Sequence, residues 1–287
     1  MAEPVAGIYP RGSLDYGAVD AVNWSTLKYL ARSAKHYRHV VDEGVAETAP
    51  MRLGTAAHLA TLEPERFERE YAFCPDDADG KAPRRGTKAW DAFVAEHEGC
   101  IVLKQTEHMA AVRIAEAVHT DELARRYLLR GEAEVSIVWR DVQTGLWCKG
   151  RVDWLSSSVP DVVLDLKTSA DVAPAKFQAG YARMLYHGQA AFYTDGFRQL
   201  LGRPVAHKCI AVESKEPHDV VVYDVIGEPL EAGTELYTDL LTQLVACQRD
   251  GLWPGHAKGA EVSLRLPAWA MGNDEDLSDL GLTFEES

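Results

Sequence analysis

The sequence predicts an α/β fold: a mixed central β-sheet flanked by helices, preceded by a helical N-terminal elaboration. Three observations predict it. A meander of β-forming segments occupies residues 133–168, helical periodicities lie on both sides of it, and two further β-rich segments, 205–212 and 220–225, follow a helix-length run. With 287 residues, 46% of them hydrophobic, the chain can bury one large core. It shows no internal repeat and no linker composition, so it reads as one domain over 1–287. Within it, 1–130 is mainly helical, 131–270 holds the core, and 271–287 is an acidic tail expected to be flexible.

The first helical stripe is Leu27, Leu30 and Ala31, with Ser25 placed to cap it. A second helix starts near Met51 and carries Leu53, Ala56, Ala57, Leu59 and Ala60 up to Glu63-Pro64, with Gly54 and the alanines permitting close packing. Residues 74–86 lack periodicity and hold many breakers, so they read as a loop. Helical patterns resume over Thr87 to His97 and Thr106 to Arg130. The meander comprises Ala133–Trp139, a hairpin turn at Thr144-Gly145, Leu146–Leu155 and Asp161–Thr168. Pro174 to Leu201 reads as helix interrupted near Gly180 and Gly188, and a last helix covers Pro229 to Arg249.

Composition narrows the function classes. No stretch approaches the ~20 apolar residues that span a bilayer, and the first residues carry no basic and apolar signal pattern, so a cytoplasmic protein with no membrane partner is expected. The five cysteines are scattered and odd in number, without a C-x-x-C pair, which argues against a zinc ribbon, an iron–sulfur cluster or a disulfide framework. A net charge of -14 opposes a polyanionic partner only if the charge is evenly spread. It is not: cations cluster at Lys28, Arg32, Lys35 and Arg38, at Lys81, Arg84, Arg85 and Lys88, and at Arg125, Arg126 and Arg130. Lys28, Arg32, Arg38, Arg84 and Arg85 are the candidate DNA contacts, against the plainer reading of solvated helix faces.

The most informative segments are Gly150-Arg151-Val152-Asp153 and Leu164-Asp165-Leu166-Lys167-Thr168. On a strand, i and i+2 leave the same face, so Asp165 and Lys167 point together while Leu164 and Leu166 enter the core. If the two strands pair, Asp153 joins them. Two carboxylates and an ammonium in one small site suit a divalent cation and a polarised water, which points to metal-assisted phosphodiester hydrolysis. An Asp-x-Lys pair alone is more often a solvated surface pair of little energetic weight.

These residues, with Tyr186-His187-Gly188-Gln189-Ala190-Ala191-Phe192-Tyr193 as a Gln-x-x-x-Tyr helix, resemble the RecB-like branch of the PD-(D/E)XK nuclease superfamily. Within it the chain looks most like the RecE-type (exonuclease VIII) nuclease domains and their phage relatives. The supporting segments run in order: Gly7-Ile8-Tyr9, Leu53-Gly54-Thr55-Ala56-Ala57-His58, Leu62-Glu63-Pro64, Ala133-Glu134-Val135-Ser136, Leu164–Thr168 and Leu266-Pro267-Ala268-Trp269-Ala270. Val152 stands where the superfamily name has Pro.

The resemblance implies a restriction-endonuclease-like core and assigns roles. Asp153, Asp165 and the Leu166 carbonyl would ligate Mg2+, with Mn2+ as a substitute. Lys167 would orient or help deprotonate the attacking water and stabilise the pentacovalent phosphate. His58 would approach the metal or scissile phosphate; otherwise it is a packed helix histidine. Gln189 and Tyr193 would brace Lys167 or touch DNA, or else are core residues. Glu134 is either a metal carboxylate or a surface acid. The implied activity is digestion of double-stranded DNA from its ends, 5′ to 3′, exposing a 3′ single strand for a RecT-like annealing protein in phage recombination, by a homo-oligomer encircling the DNA. A structure-specific endonuclease of the same fold and a non-catalytic DNA-binding or assembly protein are the rivals. The chain lacks a Gly-x-x-x-x-Gly-Lys-Ser/Thr loop and so carries no ATP motor.

Overall fold

A computed structural model describes residues 3–76, 80–81 and 83–267. In chain order the elements are β1 (Gly7–Tyr9), β2 (Val22–Asn23), α1 (Trp24–Leu27), a 3-10 turn (Lys28–Ala31), α2 (Ala34–Glu43), α3 (Ala49–Leu62), α4 (Pro64–Glu70), β3 (Tyr71–Cys74), α5 (Lys88–Glu96), β4 (Ile101–Lys104), α6 (Gln105–Thr120), α7 (Glu122–Leu128), β5 (Gly131–Arg140), β6 (Trp147–Ser156), β7 (Val162–Ser169), α8 (Pro174–Arg183), α9 (Tyr186–Leu201), β8 (Ala206–Glu213), β9 (Val220–Val225) and α10 (Glu228–Asp250). The main sheet runs β1-β5-β6-β7-β8-β9, with β2 added to β6; β3 and β4 form a separate parallel pair. Only β2–β6 and β7–β8 are parallel within the main sheet, so the sheet is mixed as expected.

Period-2 alternation divides the core between the two faces of the sheet. Val135, Ile137 and Trp139 of β5 and Val163 of β7 pack with Trp24, Leu27, Phe192, Phe197, Tyr237, Leu241 and Leu244 beneath α1, α9 and α10. On the other face Val162, Leu164 and Leu166 of β7 meet Ile210 and Val212 of β8 and the small residues Ala56, Ala57 and Ala60 of α3, with Ile114 and Val118 of α6. Leu164 and Leu166 therefore enter the core, each 2% exposed, as their spacing predicts. Helices α9 and α10 approach so closely at Gly233 that an added Cβ would lie 2.3 Å from the His187 carbonyl oxygen. Because that neighbour is main chain, Gly233→Ala must separate the helices. It is expected to cost about 1–3 kcal/mol, read as a lowered urea midpoint; an unchanged midpoint contradicts this packing.

Several boundaries differ from the sequence expectation. The first helix starts at Trp24 with Asn23 as its cap, its Oδ1 accepting from Thr26 N at 3.0 Å; Ser25 lies inside the helix. The 106–130 run is two helices, because Asp121 leaves the helical conformation and caps α7 by accepting from Ala124 N at 2.8 Å. The break in 174–201 falls at Met184-Leu185, where Leu185 adopts φ +57, while Gly180 and Gly188 sit within helices. The β5–β6 connection is a longer loop closed between Asp141 and Leu146; the Asp141 carboxylate accepts from Gln143 N and Thr144 N. Residues 268–270 of the Leu266–Ala270 segment and the acidic 271–287 stretch lie outside the described residues.

Candidate active site

The site is built where two paired strands part. The β6–β7 ladder joins Ser156 to Val162, Leu155 to Val163 and Trp154 to Leu164, and then ends. Beyond that point Leu166 N has no β6 carbonyl to bond, and it donates to Asp153 Oδ2 at 2.7 Å instead. A carboxylate thus fills the fork. Upstream, β6 keeps β5 on one side and takes β2 on the other, at Cys148 and Lys149.

The β5 partner is distorted at the same level. Ladder pairs flank Glu134, Ala133 with Trp154 and Val135 with Val152, but Glu134 itself sits at φ +57, uncommon for a residue with a side chain. The kink interrupts the facing of β6: Val152 packs beneath α9 and α10 while Trp154, two residues on, packs on the opposite face with α7. Glu134 carries its carboxylate to Arg151, 3.6 Å away.

On β7, Asp165 and Lys167 share the face predicted from their spacing, and their charged groups meet at 2.7 Å. Helix α9 holds them from above. Gln189 accepts from Lys167 Nζ through Oε1 and donates from Nε2 to Asp165 Oδ1, both at 3.3 Å. Tyr193, one turn on, lies 7% exposed against Gly150, where a Cβ would come 2.6 Å from its ring; glycine is needed there for the helix to reach the strand. Tyr186, at the start of α9, places its ring centroid 4.5 Å from Lys167 Nζ, a cation–π contact. From α3 across the fork, His58 Nδ1 stands 3.6 Å from Asp153 Oδ2. A groove of about 820 Å³ opens over these groups, with Gly54, His58, Glu134, Arg151, Leu166, Lys167 and Tyr186 in its walls.

Burial and mutual charge set the protonation of the cluster. Asp153 is pushed well above the usual carboxylate range by burial and by the neighbouring Asp165. Asp165 is buried too, but Lys167 beside it, with help from His207, holds it below its ordinary value. Burial alone would lower Lys167; the two aspartates more than offset it and keep the ammonium charged far above neutrality. His58 is driven down to about 4 by burial and by Lys167, and so is neutral at physiological pH. One carboxylate of the pair therefore tends to keep a proton and the other is ionised, which is the signature of two like charges short of one cation.

That donor set fits a hard divalent cation: two buried carboxylates converge, and a neutral imidazole nitrogen stands beside one of them. Asp153 and Asp165 would hold it. Among the described residues no group of three or more His, Cys, Asp or Glu side chains is assembled around one point, and Glu134 is turned to Arg151.

A family model for a PDDEXK-like domain of unknown function, DUF3799, matches residues 23–265. The chain belongs to this family. It is thereby placed in the PD-(D/E)XK superfamily, as the Asp153, Asp165 and Lys167 pattern predicts. Among solved structures, a protein from Eubacterium rectale described as a "putative exonuclease" superposes with a TM-score of 0.56 over 89% of this chain and 94% of its own. At 12% identity the likeness shows that the two share a nuclease-like α/β fold. No curated protein matches the sequence.

Within this DUF3799 domain the predicted catalytic residues Asp153, Asp165, Lys167, His58, Gln189 and Tyr193 are brought together by β6, β7, α3 and α9. Of the predicted DNA contacts, Lys28 is lowered in pKa by burial and then by the charge of Lys167, which stands near enough to be felt, whereas Arg38, Arg84 and Arg85 are not gathered at the site. Arg85 is engaged in two bonds to the Glu107 carboxylate, at 3.0 and 2.5 Å, and lies over the Trp90 ring; Arg84 is exposed beside it. Arg38 pairs with Asp42 at 2.8 Å and lies over Trp253. Lys28 and Arg32 stand on the 3-10 turn and just after it. Sequence reasoning missed Tyr186 and Arg151. Tyr186 lay in the quoted helix segment, three residues before Gln189, so helical spacing could have placed it on the same face. Arg151 leaves β6 two residues before Asp153, and i, i+2 spacing was an available signal.

Behind the site, His207 of β8 is 2% exposed and burial lowers its pKa to about 4. The folded protein keeps this ring neutral, whereas the unfolded chain binds a proton below about 6.5. His207 therefore favours the fold above that pH, and this contribution is lost as pH falls from 6.5 toward 4, about 3 kcal/mol in full. Asp153, whose folded pKa is raised, works in the opposite direction. Urea midpoints of the wild type and His207→Gln are compared across that window, which lies above the lowered Asp165 value: the variant is expected to lose less stability, and parallel curves would contradict it.

Proposed function

We propose that this DUF3799 domain is a Mg2+-dependent nuclease that digests double-stranded DNA from its ends, 5′ to 3′, leaving a 3′ single strand for a RecT-like annealing protein. The observation that carries the nuclease reading is the fork between β6 and β7, where Asp153 and Asp165 converge beside a permanently charged Lys167. Mn2+ would substitute, a cytoplasmic location is expected, and assembly into a homo-oligomer around DNA would supply processivity. Polarity, partner and assembly rest on the RecE-type resemblance. Among the described residues no helix is long and apolar enough to cross a membrane.

When bound, a divalent cation would polarise the scissile phosphate and lower the pKa of an attacking water. The chain's own groups do the rest. Asp153 is fixed by the Leu166 amide through Oδ2 and would hold the cation together with Asp165. Lys167 stays protonated and therefore acts by stabilising negative charge on the pentacovalent phosphate, not as a proton acceptor. Neutral His58 presents a nitrogen beside Asp153 that can accept a hydrogen bond from the water. Gln189 prevents Lys167 from swinging out of line by holding both it and Asp165.

The test is digestion of linear duplex and of a covalently closed circle of the same sequence, each with and without Mg2+. The exonuclease reading expects the linear form alone to be consumed, and only with the cation. Cutting of the circle would instead establish the structure-specific endonuclease reading. Binding without hydrolysis of either would leave a DNA-binding protein.

A further inference from the structure

A second cleft adjoins the groove. It measures about 420 Å³ and is lined by Lys28, Tyr29, Ala31, Arg32, Arg183, Met184 and Leu185. Met184 lines both this cleft and the site groove, so the two adjoin at the break between α8 and α9, and Lys28 lies near enough to Lys167 to feel its charge. The chain carries a net charge of -14, yet this cleft holds three cations and no acid. Among the described residues none of the three pairs with a carboxylate; Lys28 Nζ lies 5.7 Å from the centroid of the Tyr29 ring.

The charges are placed for use. Arg32 and Arg183 are exposed, while Lys28 and Tyr29 are half-buried, and Met184 is 49% exposed at the junction. The α8–α9 break that presents Met184 turns at Leu185, which adopts φ +57. Phosphate-binding cations around an aromatic and a thioether are the chemistry of a strand whose bases are unpaired: phosphates meet the cations and a base covers the apolar floor. A cleft of this size takes a ligand-sized segment such as an unpaired nucleotide, whereas the bases of a duplex are covered by their stack.

We propose that this cleft is a single-stranded nucleic-acid subsite, with Arg32, Arg183 and Lys28 on the phosphates and Tyr29 with Met184 under a base, leading one strand to or from the cleavage groove. The proposal rests on the nuclease reading for its role, but its binding chemistry is tested apart from hydrolysis. Neither Arg84 nor Arg85 lines the cleft, and Arg85 is committed to Glu107.

The experiment is fluorescence anisotropy with a labelled single-stranded oligodeoxynucleotide, in EDTA, comparing the wild type with Arg32→Ala/Arg183→Ala. Both side chains are at the surface, and an unchanged melting temperature confirms that the variant is folded. The variant is expected to bind about tenfold more weakly, and its log affinity against log salt should be shallower by about 1.4, roughly 0.7 for each lost phosphate contact. An abasic oligomer of equal length should bind the wild type several-fold more weakly than the base-bearing one. Unchanged affinity and salt slope in the folded variant, or equal binding of the abasic oligomer, overturns the subsite. If duplex is still hydrolysed in that case, the nuclease reading survives. If the wild type never hydrolyses duplex but the anisotropy loss is seen, the binding cleft stands and the nuclease reading falls.

Discussion

Lys167→Ala is expected to lower single-turnover hydrolysis of duplex DNA by about 10²–10³-fold while duplex affinity changes by less than about twofold. The asymmetry follows from timing: the ammonium meets most of the negative charge only when the phosphate becomes pentacovalent, so its loss falls on the transition state and not on the bound ground state. The same substitution has a second effect. Lys167 contacts the Asp165 carboxylate at 2.7 Å in a site where both side chains are nearly buried, at 14% and 7% exposed. Removing one partner of a buried pair leaves the other uncompensated, so the cation-free variant should lose about 3–5 kcal/mol of stability, and Mg2+ should restore part of it. A variant that cuts at the wild-type rate would make Lys167 a structural residue and the site misassigned.

Mg2+ or Mn2+ should raise the melting temperature of the wild type, and at a hundredfold excess over the dissociation constant the gain corresponds to about 2.7 kcal/mol. The cause is the charge state of the pair: burial, and then the carboxylate of Asp165 beside it, push Asp153 well above the usual carboxylate range. Cation binding should therefore release a proton and tighten as pH rises through the raised Asp153 value. Calorimetry in two buffers of different ionisation heat reads both quantities. Asp165→Asn should abolish the binding; equal binding in that variant would remove Asp165 from the ligand set.

The parts of this design that were legible in the sequence are those governed by short repeat periods. Alternation along β7 placed Leu164 and Leu166 in the core and Asp165 with Lys167 on the other face, and one helical turn set Gln189 and Tyr193 on the same side. What escaped is set by three-dimensional strand geometry. The β6–β7 ladder stops at Trp154 and Leu164, and Asp153 takes over the Leu166 amide; nothing local in either segment announces where two strands separate. The kink at Glu134 lies in the same class, because a glutamate gives no local signal for φ +57.

The missed elements were short or lacked the expected punctuation. Strands β3 and β4 are four residues each and are stabilised by pairing with one another across an intervening helix, so neither has a pattern long enough to read. The α8–α9 break uses Leu185 in place of the glycines on either side, and Gly188 is spent on packing against Trp24. Charge clusters were read as surfaces without regard to partners. Arg85 and Arg38 are already neutralised by Glu107 and Asp42, whereas Arg183, in no cluster, completes the unpaired set with Lys28 and Arg32.

If the fork between β6 and β7 breaks phosphodiester bonds with a divalent cation, mononucleotides should be released from linear duplex labelled at one 5′ end, measured in Mg2+ and in EDTA, for the wild type and for Asp165→Asn folded to the same secondary-structure content. The predicted result is release by the wild type in Mg2+ only, with the variant slower by about 10³-fold or more. Release that persists in EDTA, or at an undiminished rate in Asp165→Asn, would contradict it.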